Sequence, residues 1–377
     1  MSMGQGNRPE RSSGGFLPRI ESVRGIAALT VAVLHATSPF VVQPAHGHLD
    51  QVGLYAIKAL TNGYGAVVAF FVMSGFVLAR SLDRNFDAWG FAVARAFRLI
   101  PAAASTIGVF VIVYLLFGYA LNGRVSYGPV NVILNMLMLR ADLNGVMWSM
   151  KAELTATPLI FLCAWVGRTG KPQRLLLIAA GLFALSFVGQ YSHSLGDDTN
   201  LAPLFAFPVG VWLHFEGRRL VEKLSSFGAT LMAVAAIVVF CGCSFFNTVA
   251  SLGLLVECLS AATLIALIAY CEGKKEFAPL DHPLVRFYGR ISYSFYLLHP
   301  LSLWSAARVA DHVQGLSGVP MTVVALAAAL SSVVATTPFA YLSWRFVETP
   351  FIRLGKSTVP RKPQVNAVIS NPRQQEA

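Results

Sequence analysis

The sequence predicts an all-α protein that spans a membrane about ten times, and its composition carries that prediction. Only 12% of the 377 residues are charged, whereas a soluble protein carries about 25%. Hydrophobic residues make up 55% of the chain and the mean hydropathy is +0.60, so there is too little polar surface to coat a particle in water. Because the apolar runs are continuous and lack the period-2 alternation of barrel strands, helices are the predicted spanning elements.

Ten apolar segments are long enough to cross a hydrocarbon core about 30 Å thick. The predicted spans are residues 22–42, 62–82, 98–121, 146–167, 174–191, 201–216, 227–246, 250–271, 286–310 and 320–343. The apolar run 128–140 is too short to span, which predicts an interfacial or re-entrant helix on the non-cytoplasmic side. The polar ends, residues 1–18 and 356–377, are expected to be disordered tails. Residues 19–355 then form one transmembrane domain.

The distribution of positive charge predicts the orientation of the chain. With these spans, 24 of the 29 Lys and Arg residues fall on one side of the membrane and five on the other. Short cytoplasmic loops collect Lys and Arg, so both termini are predicted to be cytoplasmic. Topology thereby explains the net charge of +11, and no nucleic-acid partner is expected. The five cysteines lie in or beside apolar runs, which favours buried thiols over a disulfide framework.

The first span carries two candidate functional residues, Arg24 and His35. A titratable residue inside a span costs about 2.5–3.5 kcal/mol on insertion, so it is a functional candidate by default. Eleven residues of helix place these two side chains about 20° apart on one face and ~16 Å apart along the axis. A stripe from the cytoplasmic surface to mid-membrane is the functional interpretation. The alternative is a histidine that merely hydrogen-bonds to a neighbouring helix.

Two further groups of charged residues lie at the third and fourth spans. Arg95 and Arg98 share a helix face at the predicted cytoplasmic entrance of the third span, where paired guanidinium groups suit phosphate oxygens. An ordinary positive-inside anchor is the commoner explanation of such a pair. Glu153 is predicted in the outer half of the fourth span, on the same face as Ser149. An acid at that depth needs a partner or a role, and His35 is the expected partner.

The ninth span contains a polar stripe formed by Ser292, Tyr293, Tyr296 and His299. Such a stripe should face a cavity or the interior of the helix bundle, and both structural packing and substrate lining are open interpretations. The pair His46 and His48 makes a poor zinc site because two ligands lack companions. No metal is therefore expected.

Together these segments resemble the acyltransferase 3 family of integral membrane enzymes, which acylate bacterial surface polysaccharides and lipid-linked sugars. The resemblance covers residues 19 to about 354. The motifs that carry it are Arg24-x10-His35, Phe71-Val-Met-Ser-Gly-Phe76, Arg95-x-x-Arg98, Trp148-Ser149 with Glu153, Ser292-Tyr-Ser-Phe-Tyr-Leu-Leu-His299, and Arg345-Phe-Val-Glu348-x-Pro350. Their order along a ten-span chain makes the combination more specific than any one motif.

The resemblance implies transfer of an acyl group, acetyl being expected, from cytoplasmic acyl-CoA to a sugar hydroxyl. The acceptor would be an exopolysaccharide, an O-antigen or a lipid-linked sugar, and the enzyme would lie in the bacterial inner membrane. His35 would act as general base or as acyl-carrying nucleophile, and Glu153 would orient it. The residues expected to hold the donor phosphates are Arg24, Arg95 and Arg98. The residues expected to line the acceptor site are Ser149, Tyr293, Tyr296 and His299.

Two other classes of protein remain as alternatives. A transporter of glycolipids or small solutes also combines ten helices with a few buried polar residues, although the chain shows neither an internal repeat nor paired broken helices. A structural partner in a polysaccharide-secretion complex would leave His35 unexplained. The expected partners are a sugar or polysaccharide acceptor and membrane lipid, and a homo-oligomer or a polysaccharide-assembly protein stays open.

Overall fold

The computed structural model describes residues 17–121, 123, 125–188, 191–194, 197–246, 251–271, 275–316 and 318–358. Helices dominate these residues. The α-helices are α1 Pro18–Val41, α2 His48–Leu60, α3 Gly63–Arg84, α4 Ala88–Phe117, α5 Pro129–Met136, α6 Met147–Thr155, α7 Thr157–Arg168, α8 Arg174–Leu185, α9 Ala206–Val221, α10 Ser226–Gly242, α11 Ser251–Tyr270, α12 Pro283–Gln314, α13 Met321–Ser343 and α14 Thr349–Ser357. Shorter pieces are the 3₁₀ segments Ala202–Phe205, Cys243–Phe245 and Lys275–Asp281, the π-helical turn Trp344–Glu348, and the strands β1 Tyr191–Ser194 and β2 Asp197–Asn200.

Six stretches of the described chain are long and apolar enough to cross a membrane. They are Pro18–Val41, His48–Arg84, Ala88–Phe117, Ser226–Phe245, Ser251–Tyr270 and Met321–Ser357. The 32-residue helix α12 is longer than most of them, but its charged and polar residues lower its hydropathy. An all-α multi-pass membrane protein is therefore confirmed, whereas the count of ten spans and the cytoplasmic termini stay predictions.

Prolines and caps explain where the helices depart from the predicted spans. The span predicted at 146–167 is two helices, α6 and α7, because Pro158 lies in the first turn of α7 and cannot continue α6. Helix α4 starts ten residues before the predicted 98, where the Asp87 side chain accepts a hydrogen bond from the Gly90 N–H at 3.1 Å. The run 128–140 contains the eight-residue helix α5.

Two elements of the fold are not predicted from the sequence. The sequence predicts no span between residues 42 and 62, yet helix α2 lies there. Its Asp50 carboxylate accepts hydrogen bonds from the backbone N–H groups of Met321 and Thr322 at 3.0 and 2.7 Å, which ties α2 to the start of α13. The antiparallel pair β1–β2 departs from a purely helical fold. Its Asp197 is buried and forms an ion pair with Lys151 of α6 at 2.5 Å, so the hairpin is fastened to α6.

The described helices begin and end near the predicted limits of the transmembrane domain. Helix α1 begins at Pro18 and α14 ends at Ser357. Most of the predicted tails, 1–18 and 356–377, therefore lies outside the described residues. No disulfide bond joins the five cysteines, all of which lie in the described chain, as their sequence positions predict.

Helix α12 lies at the centre of the bundle, packed against α1 and α13. A Cβ on Gly25 of α1 would lie 2.4 Å from the backbone nitrogen of Gly289 on α12, so these helices touch through their backbones. A similar contact joins α3 to α9, where a Cβ on Gly210 would lie 2.0 Å from the Val72 carbonyl oxygen. Small residues permit such approaches in membrane bundles. The α1–α12 contact sets the register of the two helices that carry the site.

Candidate active site

Two histidines meet in the interior of the bundle. Nδ1 of His35 on α1 lies 2.8 Å from Nε2 of His299 on α12, and the two rings stack with centroids 5.1 Å apart and planes 17° apart. His299 is fully buried, whereas His35 is only partly buried. The pair therefore has one member held inside the protein and one member that is accessible.

Proline explains how the inner histidine is held. Pro300 follows His299 and has no N–H, so the Tyr296 carbonyl one turn earlier loses its usual helical donor. Nδ1 of His299 lies 2.6 Å from that carbonyl oxygen. Because a carbonyl only accepts, Nδ1 of His299 must carry the proton and donate it. The sequence His299-Pro300 thus fixes the tautomer of the buried ring.

The tautomer of His299 determines that of His35. With its proton on Nδ1, a neutral His299 presents Nε2 as an acceptor, so Nδ1 of His35 is the donor across the 2.8 Å contact. The lone pair of His35 is then on Nε2. None of the described residues hydrogen-bonds to that nitrogen. The pair therefore presents an oriented, unprotonated imidazole nitrogen, which is the arrangement that a general base requires.

The predicted hydrogen bond between Glu153 and His35 does not form. One carboxylate oxygen of Glu153 instead accepts from the Ser74 hydroxyl at 2.6 Å and from the Arg95 guanidinium at 3.0 Å. Arg95 also donates to the Glu153 backbone carbonyl at 3.2 Å. His299, predicted to line the acceptor site, occupies the position expected for Glu153.

The early start of α4 explains the different role of Arg95. The predicted span places this residue at the entrance of the helix, but α4 begins at Ala88 and Arg95 lies in its second turn. Only 3% of its surface is exposed. Its guanidinium is thus engaged with Glu153 of α6, and the expected placement of Arg95 and Arg98 together at an open mouth is wrong.

Arg24 and Arg98 remain available for a ligand. No hydrogen bond or ion pair joins either guanidinium to the residues that the structure describes. Arg24 interacts electrostatically with Arg98 and with the carboxylates of Glu153, Glu348 and Glu21. The N-terminal parts of α1 and α4 and the π-helical turn therefore meet in one charged cluster. This cluster lies at the end of the bundle opposite the C-terminal halves of α1 and α12.

Glu348 is a member of this cluster that the sequence analysis placed in a family motif but assigned to no site. It is buried and accepts a hydrogen bond from the Ser294 hydroxyl of α12 at 3.1 Å. Its position in the Arg345-to-Pro350 motif was the available signal, but the sequence could not show that the π-helical turn points it inward.

The other residues of the α12 stripe have distinct partners. The Tyr296 hydroxyl lies 2.8 Å from the Ser149 hydroxyl and both side chains are buried. The centroids of the Tyr296 and His299 rings are 5.7 Å apart. Tyr293 donates its hydroxyl to the Leu99 carbonyl of α4 at 2.8 Å. Tyr296 thus adjoins the histidine pair and Ser149 contacts Tyr296, whereas Tyr293 links two helices.

A family model for the acyltransferase domain of the acyltransferase 3 type matches residues 17–345. The chain belongs to the acyltransferase 3 family. The match runs from the residue before α1 into the π-helical turn, so it includes both histidines and the arginines of the charged cluster. Membership confirms the predicted enzyme class, an acyltransferase, and removes the support for a transporter or a purely structural protein.

The chain is also similar to the O-acetyl transferase of Shigella phage Sf6. The two are 21% identical over 355 residues, which cover 88% of this chain and 95% of that protein. No solved structure matches the chain.

Proposed function

We propose that this protein is an O-acetyltransferase that moves the acetyl group of cytoplasmic acetyl-CoA to a sugar hydroxyl. The observation that carries the proposal is the His35–His299 pair, which leaves Nε2 of His35 unprotonated and accessible. The family supplies the acyl transfer, and the activity named for the phage relative supports acetyl as the group and oxygen as the acceptor atom.

The reaction needs two proton transfers, one from the acceptor hydroxyl to His35 and one from His35 to the thiolate. Nε2 of His35 removes the proton of the acceptor hydroxyl while the oxygen attacks the thioester carbonyl carbon. The C–O bond forms, the C–S bond breaks, and the thiolate takes the proton back from Nε2. While His35 is an imidazolium, His299 Nε2 accepts from its Nδ1–H, which stabilises the positive charge in the way that an orienting acid does in a catalytic triad.

We propose that the phosphate groups of the donor bind at the charged cluster. Among the residues that the structure describes, none pairs with the guanidinium group of Arg24 or Arg98, and such groups bind phosphate oxygens well. Along the continuous helix α1, Arg24 and His35 are separated by ~16 Å. A donor held at one end and reacting at the other needs an extended, uncharged arm between phosphate and thioester. CoA has that shape. Arg95 is not assigned to the donor site, because its guanidinium group is paired with Glu153.

The charge distribution supports the proposed sidedness of the donor site. The Lys and Arg bias of the sequence supports a cytoplasmic position for Arg24 and Arg98. With a cytoplasmic source of acyl-CoA, the proposed location is a bacterial inner membrane.

The proposal is tested with purified protein, radiolabelled acetyl-CoA and a sugar acceptor. We expect label to pass to the sugar with release of one free thiol per ester formed, and no transfer by His35→Ala. His312→Ala, which removes an exposed histidine near the end of α12, is the matched control and should keep wild-type activity. Thiol release that does not depend on acceptor would identify a hydrolase instead. A stable acetyl-enzyme on His35 in the absence of acceptor would assign the acyl-carrier route.

A further inference from the structure

A short segment before α6, residues 141–146, is hydrogen-bonded to α12. The Asn144 side chain donates its Nδ2–H to the backbone carbonyl of Leu297 at 2.9 Å. Two residues later, the Val146 carbonyl accepts a hydrogen bond from the Tyr296 hydroxyl at 3.1 Å. We call residues 141–146 the clamp segment, because it holds two consecutive residues of α12 by hydrogen bonds of opposite direction.

The two residues held by the clamp segment belong to the helical turn that carries His299. Nδ1 of His299 donates to the Tyr296 carbonyl at 2.6 Å, and Pro300 leaves this carbonyl without its helical donor. The carbonyls of Tyr296 and Leu297 are consecutive along the backbone, so a shift of one peptide unit turns the other. The hydrogen bond from Asn144 therefore restrains, from outside α12, the backbone on which the orientation of the His299 ring depends.

The amide of Asn144 has a partner on its donor side only. The residue is fully buried, and none of the described residues donates a hydrogen bond to its Oδ1. A buried acceptor without a donor lowers the stability of a fold. An apolar side chain of the same size would fill this space without that loss, so packing does not account for an asparagine here. What the amide supplies is the hydrogen bond from Nδ2 to Leu297.

The clamp segment is itself held by two other elements. The Ala141 N–H donates to one oxygen of the Asp197 carboxylate in the β-hairpin at 2.5 Å. The other oxygen of Asp197 pairs with Lys151 of α6, also at 2.5 Å. On α5, the buried Asn135 side chain accepts a hydrogen bond from the Leu143 N–H at 3.2 Å. Helix α5 and the hairpin thus support the segment that holds the His299 turn.

We propose that Asn144 is a positioning residue for acetyl transfer, acting on His35 through His299. This inference rests on the proposed function and adds to it a residue that acts on the base through the backbone of α12. The Asn144 hydrogen bond keeps the Tyr296–Leu297 backbone, and with it the His299 ring, where Nε2 of His299 accepts from Nδ1 of His35. Without it the turn can shift, since a proline has already removed one of its hydrogen bonds. A small misplacement of the base slows a reaction steeply.

The test is Asn144→Leu, which keeps the size of the side chain and removes its donor. The Leu297 carbonyl retains the Leu301 N–H as its helical donor, so the protein should unfold in detergent at or above the wild-type temperature. We expect kcat to fall about 10- to 10²-fold, with the KM for acetyl-CoA unchanged. Asn85→Leu, the same exchange at an exposed residue after α3, is the control and should keep the wild-type kcat.

A double variant shows whether Asn144 acts through His299. In a His299→Leu protein the Nε2 acceptor is already absent, so adding Asn144→Leu should lower kcat no further. Equal losses in both backgrounds would overturn the inference at any unfolding temperature, because a general structural defect lowers the activity of either protein. A wild-type kcat in the Asn144→Leu protein would overturn it as well.

A second variant tests the same clamp segment where the first does not fold. Tyr296→Phe loses only the hydroxyl of the other clamp contact, and Ser149 still donates to the Val146 carbonyl at 3.1 Å. Its kcat should fall several-fold in the wild-type background and not in the His299→Leu background. Equal falls, or no fall, would contradict the inference. If the wild-type protein transfers no acetyl group, or His35→Ala transfers it at the wild-type rate, the proposed function fails and the inference with it.

Discussion

His35 and His299 each lie ten residues beyond a glycine, Gly25 on α1 and Gly289 on α12, at which the two helices touch. Two parallel helices in backbone contact keep the same rise per residue, so residues at equal distances from the contact lie side by side. The 2.8 Å contact between Nδ1 of His35 and Nε2 of His299 is the result. The packing of these two long helices thus determines the orientation of the base. A small shift of one helix relative to the other would break the contact between the histidines.

Replacing His35 with alanine should lower the rate of acetyl transfer about 10²- to 10⁴-fold, because a positioned base contributes that factor. The substitution removes a partly exposed side chain, so the protein should accumulate and unfold as wild type does. The measurement is initial transfer rate at equal protein concentration, with thermal unfolding in detergent as the folding control. More than half of the wild-type rate would exclude His35 as the base.

Replacing His299 separates a positioning role from a packing role. His299→Leu fills the space but cannot accept from Nδ1 of His35, and we expect kcat to fall about 10²-fold or more while the KM for acetyl-CoA stays unchanged. His299→Gln places an amide oxygen near the former Nε2, so it should recover part of kcat. If the leucine and glutamine variants lose activity equally and unfold at equally lowered temperatures, His299 acts only in packing.

Arg24→Ala and Arg98→Ala should each weaken the use of acetyl-CoA through its apparent affinity. A charge-assisted contact to phosphate contributes about 1.5–3 kcal/mol, and neither guanidinium has a partner among the described residues whose loss would destabilise the fold. Donor saturation curves measure the effect. Arg353→Ala, an exposed arginine of α14, is the control that changes net charge alone. If the donor saturation curves of both variants superimpose on that of wild type, the two arginines do not bind the donor and serve only to orient the chain in the membrane.

Arg95→Ala should affect folding more than catalysis, in contrast to the expectation from sequence. The substitution leaves the buried Glu153 carboxylate without its guanidinium partner, and breaking a buried pair in this way costs about 3–5 kcal/mol. The double variant Arg95→Met/Glu153→Leu removes both charges and should recover much of that loss. Thermal unfolding of the two variants is compared at equal detergent concentration. If the Arg95→Ala protein is as stable as wild type and has a raised KM for the donor, Arg95 binds the donor after all.

The sequence predicts those relationships that lie within one helix. Arg24 and His35 share a face because α1 is continuous over both, and helix geometry alone determines their separation. The partners of Glu153 could not be predicted in this way, because α3, α4 and α6 must first come together to bring Ser74 and Arg95 to it.

The partner of His35 depends equally on tertiary structure. The pairing with His299 follows from the Gly25–Gly289 contact between helices far apart in sequence. The local signal was His299-Pro300, since a proline leaves a helical carbonyl without its donor. That signal indicates a constrained ring but does not show which side chain the ring meets.

The orientation of the bundle can be decided by labelling two residues at its opposite ends. Asp197, an obvious outer-loop position from sequence, is unsuitable because it is buried in an ion pair with Lys151. Gln314 is exposed at the end of α12, and 25 residues of continuous helix place it ~37 Å beyond the Gly289 contact. Ser357 is exposed at the end of α14. A Cβ on its neighbour Gly355 would lie 2.6 Å from Cβ of Phe97, which places this helix beside Arg98.

In a background with all five cysteines replaced by alanine, Gln314→Cys should react with a membrane-impermeant maleimide in intact cells. Ser357→Cys should react only after the cells are opened, because the positive-inside rule places the arginine-rich end in the cytoplasm. Complete labelling of both variants in lysed cells is the control for accessibility. The opposite pattern would turn Arg24 and Arg98 away from the cytoplasm, and a donor made there could then not reach His35 from the charged cluster.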